Sequence, residues 1–155
     1  MTDATSEPPV DAEARRRLAI EIFNHVWTLL DAADRTAEQD DEMIHGAHAS
    51  RFLWGQVGDA ANRTRGEWQC SRVYAVLGRA EPALYHARRC LEICEQNGIG
   101  DWDLAVAYEA LARACRVAGD EAGLARNLDA ARAAMQTIQD PEDREVLAAD
   151  LATLS

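Results

Sequence analysis

Residues 70–91 read CSRVYAVLGRAEPALYHARRCL, and residues 111–132 read LARACRVAGDEAGLARNLDAAR. The two stretches share a spacing. In the first, Tyr74, Gly78, Ala83 and Cys90 stand four, five and seven residues apart, and in the second Cys115, Gly119, Leu124 and Ala131 keep those intervals. Upstream, Cys70 corresponds to Leu111, and Gly119 follows Gly78 by 41 residues. Each glycine falls between two helix-length segments, where a tight turn needs a residue without a Cβ. Small residues around it let the two helices approach closely. A weaker third frame fits the start of the chain, with Asp34 in the glycine position 44 residues before Gly78.

Outward from this repeat, the chain divides into seven helix-length segments. The first spans about 12–33, with Phe23, Val26, Trp27 and Leu30 at helical spacing. Thr36 and Gln39 fit a capping box that opens a second segment reaching Val57. Gly58-Asp59 breaks the pattern, and a third segment runs from about Ala60 to Leu77. Pro82 belongs to the first turn of the fourth, which Asn97-Gly98-Ile99-Gly100 stops. Asp101 is the expected cap of the fifth, ending at Gly119-Asp120, and the sixth is expected to reach Gln139. Asp140 followed by Pro141 then reads as an N-cap and first helical residue. The predicted architecture is all-α: antiparallel hairpins at about 12–57, 60–97 and 101–139 in one stacked domain, and a capping helix at 142–154. Residues 1–11 carry no periodicity and read as a disordered tail.

On Tyr74, Gly78, Ala83 and Cys90-Leu91, with Leu111, Gly119 and Ala131 in the next copy, the chain resembles the tetratricopeptide repeat family in a longer version. The resemblance covers about residues 60–139, and 15–57 more loosely. A tryptophan–leucine–glycine start and a closing proline are missing, and cysteine takes several small-residue positions. The resemblance implies a right-handed superhelix of stacked hairpins. It also implies a concave groove, lined by the first helix of each pair, that binds peptides.

Composition narrows the function classes. The 155 residues include 27 acidic and 16 basic ones, for a net charge of −11. Every basic residue is arginine, and alanine occurs 30 times. This Ala- and Arg-rich, aromatic-poor make-up favours helix and suggests a GC-rich bacterial genome. Strong acidity excludes a general nucleic-acid footprint. No apolar run approaches the roughly 20 residues of a membrane span. The acidic start lacks a signal core, so a cytoplasmic location is expected. Cys70, Cys90, Cys94 and Cys115 form no CxxC pair and read as small buried hydrophobes, although His86, Cys90 and Cys94 share a helix stripe that suits a soft metal. No P-loop, GxGxxG, GxSxG or HExxH signature is present, and neither catalysis nor a cofactor is expected.

Two constellations carry the functional expectation. Arg65, Trp68 and Arg72 share one face of the third helix, while Glu109, Arg113 and Arg116 share one of the fifth. Placed on neighbouring helices, four arginines and an indole form a local basic groove. The groove suits an acidic peptide or another anion, because the guanidinium fork binds carboxylates bidentately. Trp68 is the tryptophan expected to touch a partner. The alternative is a ligand or metal pocket, which an enzyme could also use, on the first pair. There Glu42, His45 and His48 are spaced by three, a turn near Arg35 would set His25 beside His45, and Glu21 is near His25. Arg51 lies within an otherwise apolar stripe and needs a partner, with Asp31, Asp34 or a bound anion as candidates. Self-association through the apolar first helix, giving a homodimer, is a third reading.

Overall fold

The computed structural model describes residues 11–155, so the expected tail lies outside the described residues except for Asp11. Asp11 belongs to the first helix as its N-cap, taking the N–H of Ala14. The described chain forms seven α-helices and no strand: α1 Ala12–Asp31, α2 Ala37–Val57, α3 Ala60–Val76, α4 Ala80–Gln96, α5 Asp101–Ala118, α6 Glu121–Met135 and α7 Pro141–Ala152. They pack as adjacent pairs in an all-α helical-repeat arrangement.

The repeat seen in sequence reappears in the turns. Gly78 and Gly119 both have φ +72°. The N–H of Arg79 reaches the carbonyl of Tyr74 at 2.9 Å, and that of Asp120 reaches Cys115 at 2.9 Å. These are the same left-handed closing turns, which satisfy helix-end carbonyls that would otherwise be orphaned. The first hairpin closes differently. Arg35 folds back so that Nη1 donates to the Ala32 carbonyl at 2.9 Å, while Nε donates to Asp40 at 2.9 Å. A side chain there does the work that a glycine turn does in the other two.

Thr36 and Gln39 form the expected capping box, and Asp140 caps α7 with Pro141 at the first turn. The ends of α1 and α7 fall two residues before 33 and 154, and two further boundaries differ from the sequence reading. Gly100 is the N-cap residue of α5; Asp101 is its first residue, at φ 53°, with a carboxylate that accepts the N–H of Trp102. The sixth helix stops at Met135 rather than Gln139, because Thr137 Oγ1 bonds the Ala134 carbonyl and residues 136–138 tighten into turns.

Alanines and short polar side chains set the spacing between helices. Ala75, Ala83, Ala87, Ala110 and Ala114 fill the seam between α3, α4 and α5. Ser50, Thr64 and Ser71 donate hydroxyls to the carbonyls of Ala19, Cys90 and Ala83 on neighbouring helices. Buried donors are thereby satisfied, and the helix pairs are fixed in register. The odd-numbered helices touch one another in a row, α1 to α3 to α5 to α7, whereas α2, α4 and α6 make no such approach. The odd row is therefore the closely spaced inner face, and the even helices on the outer one meet only through side chains, as His48 of α2 and His86 of α4 do.

Candidate functional site

The inner face carries an aromatic ladder. Phe23 and Trp27 on α1, Trp68 on α3 and Trp102 on α5 follow one another with ring centroids 6.2, 4.9 and 6.1 Å apart. Trp68 is thus a packing centre held between two other indoles, with its Nε1 buried and unbonded among the described residues.

The arginines placed on this face by sequence are present there, but most are already engaged. Arg65 grips Asp103 bidentately at 2.7 and 3.0 Å, and that bond raises its pKa above the ordinary arginine value. Arg72 lies 3.0 Å from Asp150 of α7 and 3.6 Å from Glu109. Arg113 bonds Glu109 at 2.7 Å and the Thr153 hydroxyl at 2.9 Å, and Arg116 donates to the Thr153 carbonyl at 3.2 Å. The expected basic groove is therefore electrically compensated at its α7 end: two arginines face two carboxylates, and α7 itself supplies one of them. Arg65 remains about half exposed, at 47% of its side chain, and Arg116 is exposed as well, bonded among the described residues only to a backbone carbonyl. Beside it opens a cleft of about 120 Å³ lined by Ile20, Phe23, Trp54, Asn62 and Arg65, with Arg16 lying 5.6 Å over the Trp54 ring.

The alternative pocket is rearranged. His25 donates to Glu42 at 2.7 Å on an exposed surface, not to His45, which is exposed and outside any cluster. The hairpin register sets His25 opposite the position one turn before His45. His48 and Arg51 instead face α3, and there they join residues that sequence reasoning did not connect. Arg51 Nε donates to Glu67 Oε1 at 2.7 Å, which settles its partner as Glu67 rather than Asp31 or Asp34. His86 Nδ1 donates to Glu67 Oε2 at 2.6 Å, and His48 Nε2 shares a 2.8 Å hydrogen bond with the Tyr74 hydroxyl. The two imidazoles stand 5.2 Å apart, and Tyr74 stacks on His86. Cys70, fully buried, completes the group; Cys90 and Cys94 lie elsewhere, bonded to Thr64.

The electrostatics of this cluster follow from its burial. Desolvation alone would raise the Glu67 pKa, but the His86 hydrogen bond and the Arg51 charge outweigh it and hold the carboxyl below its ordinary value. Burial, followed by the neighbouring His86, lowers the His48 pKa. Burial, reinforced by the Glu67 carboxylate, pushes the Cys70 thiol well up. Glu67 is the hub that sequence reading missed. Its available signal was Gly66 inside a helix: a Cβ there would sit 2.7 Å from Arg51 Cδ, so the glycine lets the Arg51 stem lie against the α3 backbone.

Compared with protein-family models, with curated proteins and with solved structures, the chain gives no match. Among the described residues, no helix is long and apolar enough to cross a membrane.

Proposed function

We propose that this chain is a non-catalytic interaction module of tetratricopeptide-like build whose inner face captures a segment of a partner protein. The observation that carries the reading is the cleft between α1, the end of α2 and α3. Its floor is Ile20, Phe23 and Trp54, with Ile20 44% exposed, and its rim holds Arg16 and the half-exposed Arg65. The volume suits one apolar side chain. An acidic group beside that anchor engages Arg65 Nη1, which has no hydrogen bond among the described residues. Because Asp103 already neutralises Arg65, the apolar anchor carries the affinity and the acid fixes orientation. The repeated hairpins with matching glycine turns support the family likeness. Leu18 and Ile20, both 44% exposed on α1, keep a second copy of the chain among the candidate partners.

Selection of displayed random peptides on the purified protein, with counter-selection on Arg65→Glu and Phe23→Ala, tests this. The expected winners pair an acidic residue with a large apolar one and lose at least tenfold in affinity to either variant. Winners indifferent to both substitutions overturn it.

A further inference from the structure

Between α2, α3 and α4, on the outer face, His48, Cys70 and His86 each present one ligand atom, and these three atoms lie within 4.8 Å of one another. We propose that these residues form a binding site for a zinc-class divalent cation that ties the first hairpin to the second. The donor set is two imidazoles and one thiol, which favours borderline-soft cations such as Zn²⁺ and disfavours calcium and magnesium, both of which need oxygen. Each ring has one nitrogen fixed by a hydrogen bond, His48 to Tyr74 and His86 to Glu67, and a second with no partner among the described residues. Glu67 holds His86 as a carboxylate holds a metal-bound histidine: it sets the tautomer and the ring orientation and makes the free nitrogen a better donor. Glu67 is itself anchored by Arg51 at 2.7 Å. The supporting shell for a metal ligand is therefore built.

The ligand atoms need to close by about 1 Å to reach tetrahedral zinc, with Zn–N near 2.0 Å and Zn–S near 2.3 Å. His48 sits at the half-buried rim and can swing inward, whereas Cys70 is fixed in the core. Binding replaces the thiol proton: Cys70–SH and Zn²⁺ give a thiolate–zinc bond and one released proton. Three protein ligands leave the fourth position to water.

Full-length protein purified without a histidine tag and stripped by chelator is titrated with Co²⁺ and then displaced by Zn²⁺. The expected result is one Co²⁺ per chain, with a thiolate charge-transfer band and tetrahedral visible absorption. One proton is released per metal. Cys70→Ala and His86→Gln abolish the band, Glu67→Gln weakens binding by at least tenfold, and the double variant Cys90→Ala, Cys94→Ala leaves it unchanged. Circular dichroism checks each fold. Should Cys70→Ala fail to fold, the rim variant His48→Phe decides, since it removes a ligand without disturbing the core. The proposal is overturned by the absence of stoichiometric uptake. It is equally overturned if uptake survives loss of His48 or His86, or disappears only with Cys90 and Cys94.

Discussion

The second and third hairpins share a frame and fill it differently. Both turn on a glycine at φ +72° with the same 2.9 Å closing bond. At corresponding positions, however, the second hairpin has Cys70, Tyr74 and His86 where the third has Leu111, Cys115 and Asn127. In the third, Leu111 packs into the alanine seam, and Asn127 bonds the Gly123 carbonyl one turn earlier on its own helix. That hairpin closes without a charged group at these positions. Helix packing therefore does not demand the Glu67–His86–His48–Tyr74 network, which is why the network is read as a site rather than as scaffolding.

The strongest way to break this comparison is to empty the hub. Glu67→Ala leaves Arg51 and His86 buried without their acceptor and is expected to cost about 3 kcal/mol, measured by urea denaturation. The triple variant Arg51→Met, Glu67→Leu, His86→Asn replaces the charges with groups of similar size and should recover to within about 1 kcal/mol of wild type, while losing metal uptake. If the triple variant stays as unstable as Glu67→Ala, the cluster is part of the fold and the contrast between the hairpins is misread.

A smaller effect sharpens the shared frame. An added Cβ meets nothing within 4 Å at Gly78 or Gly119, so only backbone strain opposes alanine there. Gly78→Ala and Gly119→Ala should each cost about 1–2 kcal/mol and match within experimental error. Unequal costs would show that the two turns carry different loads.

These elements also show what sequence made legible. The glycine turns, the Thr36 and Asp140 caps and the helix count follow from local signals, because i to i+4 chemistry fixes them. The sites did not follow so far. That Arg51 needed a partner was readable from its apolar stripe, but the choice of Glu67 depends on how α2 crosses α3 at Gly66, which is a tertiary fact. Arg72 and Arg113, expected on neighbouring helices, do meet at Glu109. Pairing of Arg113 with Glu109 was readable from their i to i+4 spacing, but the α7 partners were not, because Asp150 and Thr153 reach the arginines from 78 and 40 residues away in sequence. Cys90 and Cys94 are fully buried, as small hydrophobes are, and the stripe they share with His86 does not converge on one point. Its members face different neighbours: His86 turns to Glu67, and the two cysteines turn to Thr64.

The smallest expected effect separates the two ends of the inner face. Asp150 contributes a carboxylate to Arg72 at 3.0 Å, yet its side chain is 28% exposed, so water partly screens the pair. Asp150→Ala should therefore cost only about 0.5–1 kcal/mol. That loss should fall on the docking of α7, read as faster amide exchange in residues 141–152, with α1 to α5 unaffected. Leu147, Leu151 and Leu154 still bury against α5 and α6, so α7 stays in place. The substitution also leaves Arg72 with Glu109 alone, whose Oε2 is buried and has no hydrogen bond among the described residues. If acidic peptides selected on the wild type bind Asp150→Ala no more tightly, the partner site lies at Arg65 and the α7 end is closed by the chain's own carboxylate. A gain of tenfold or more would move the docking site to Arg72 and Arg113 and make α7 the occupant that a partner displaces.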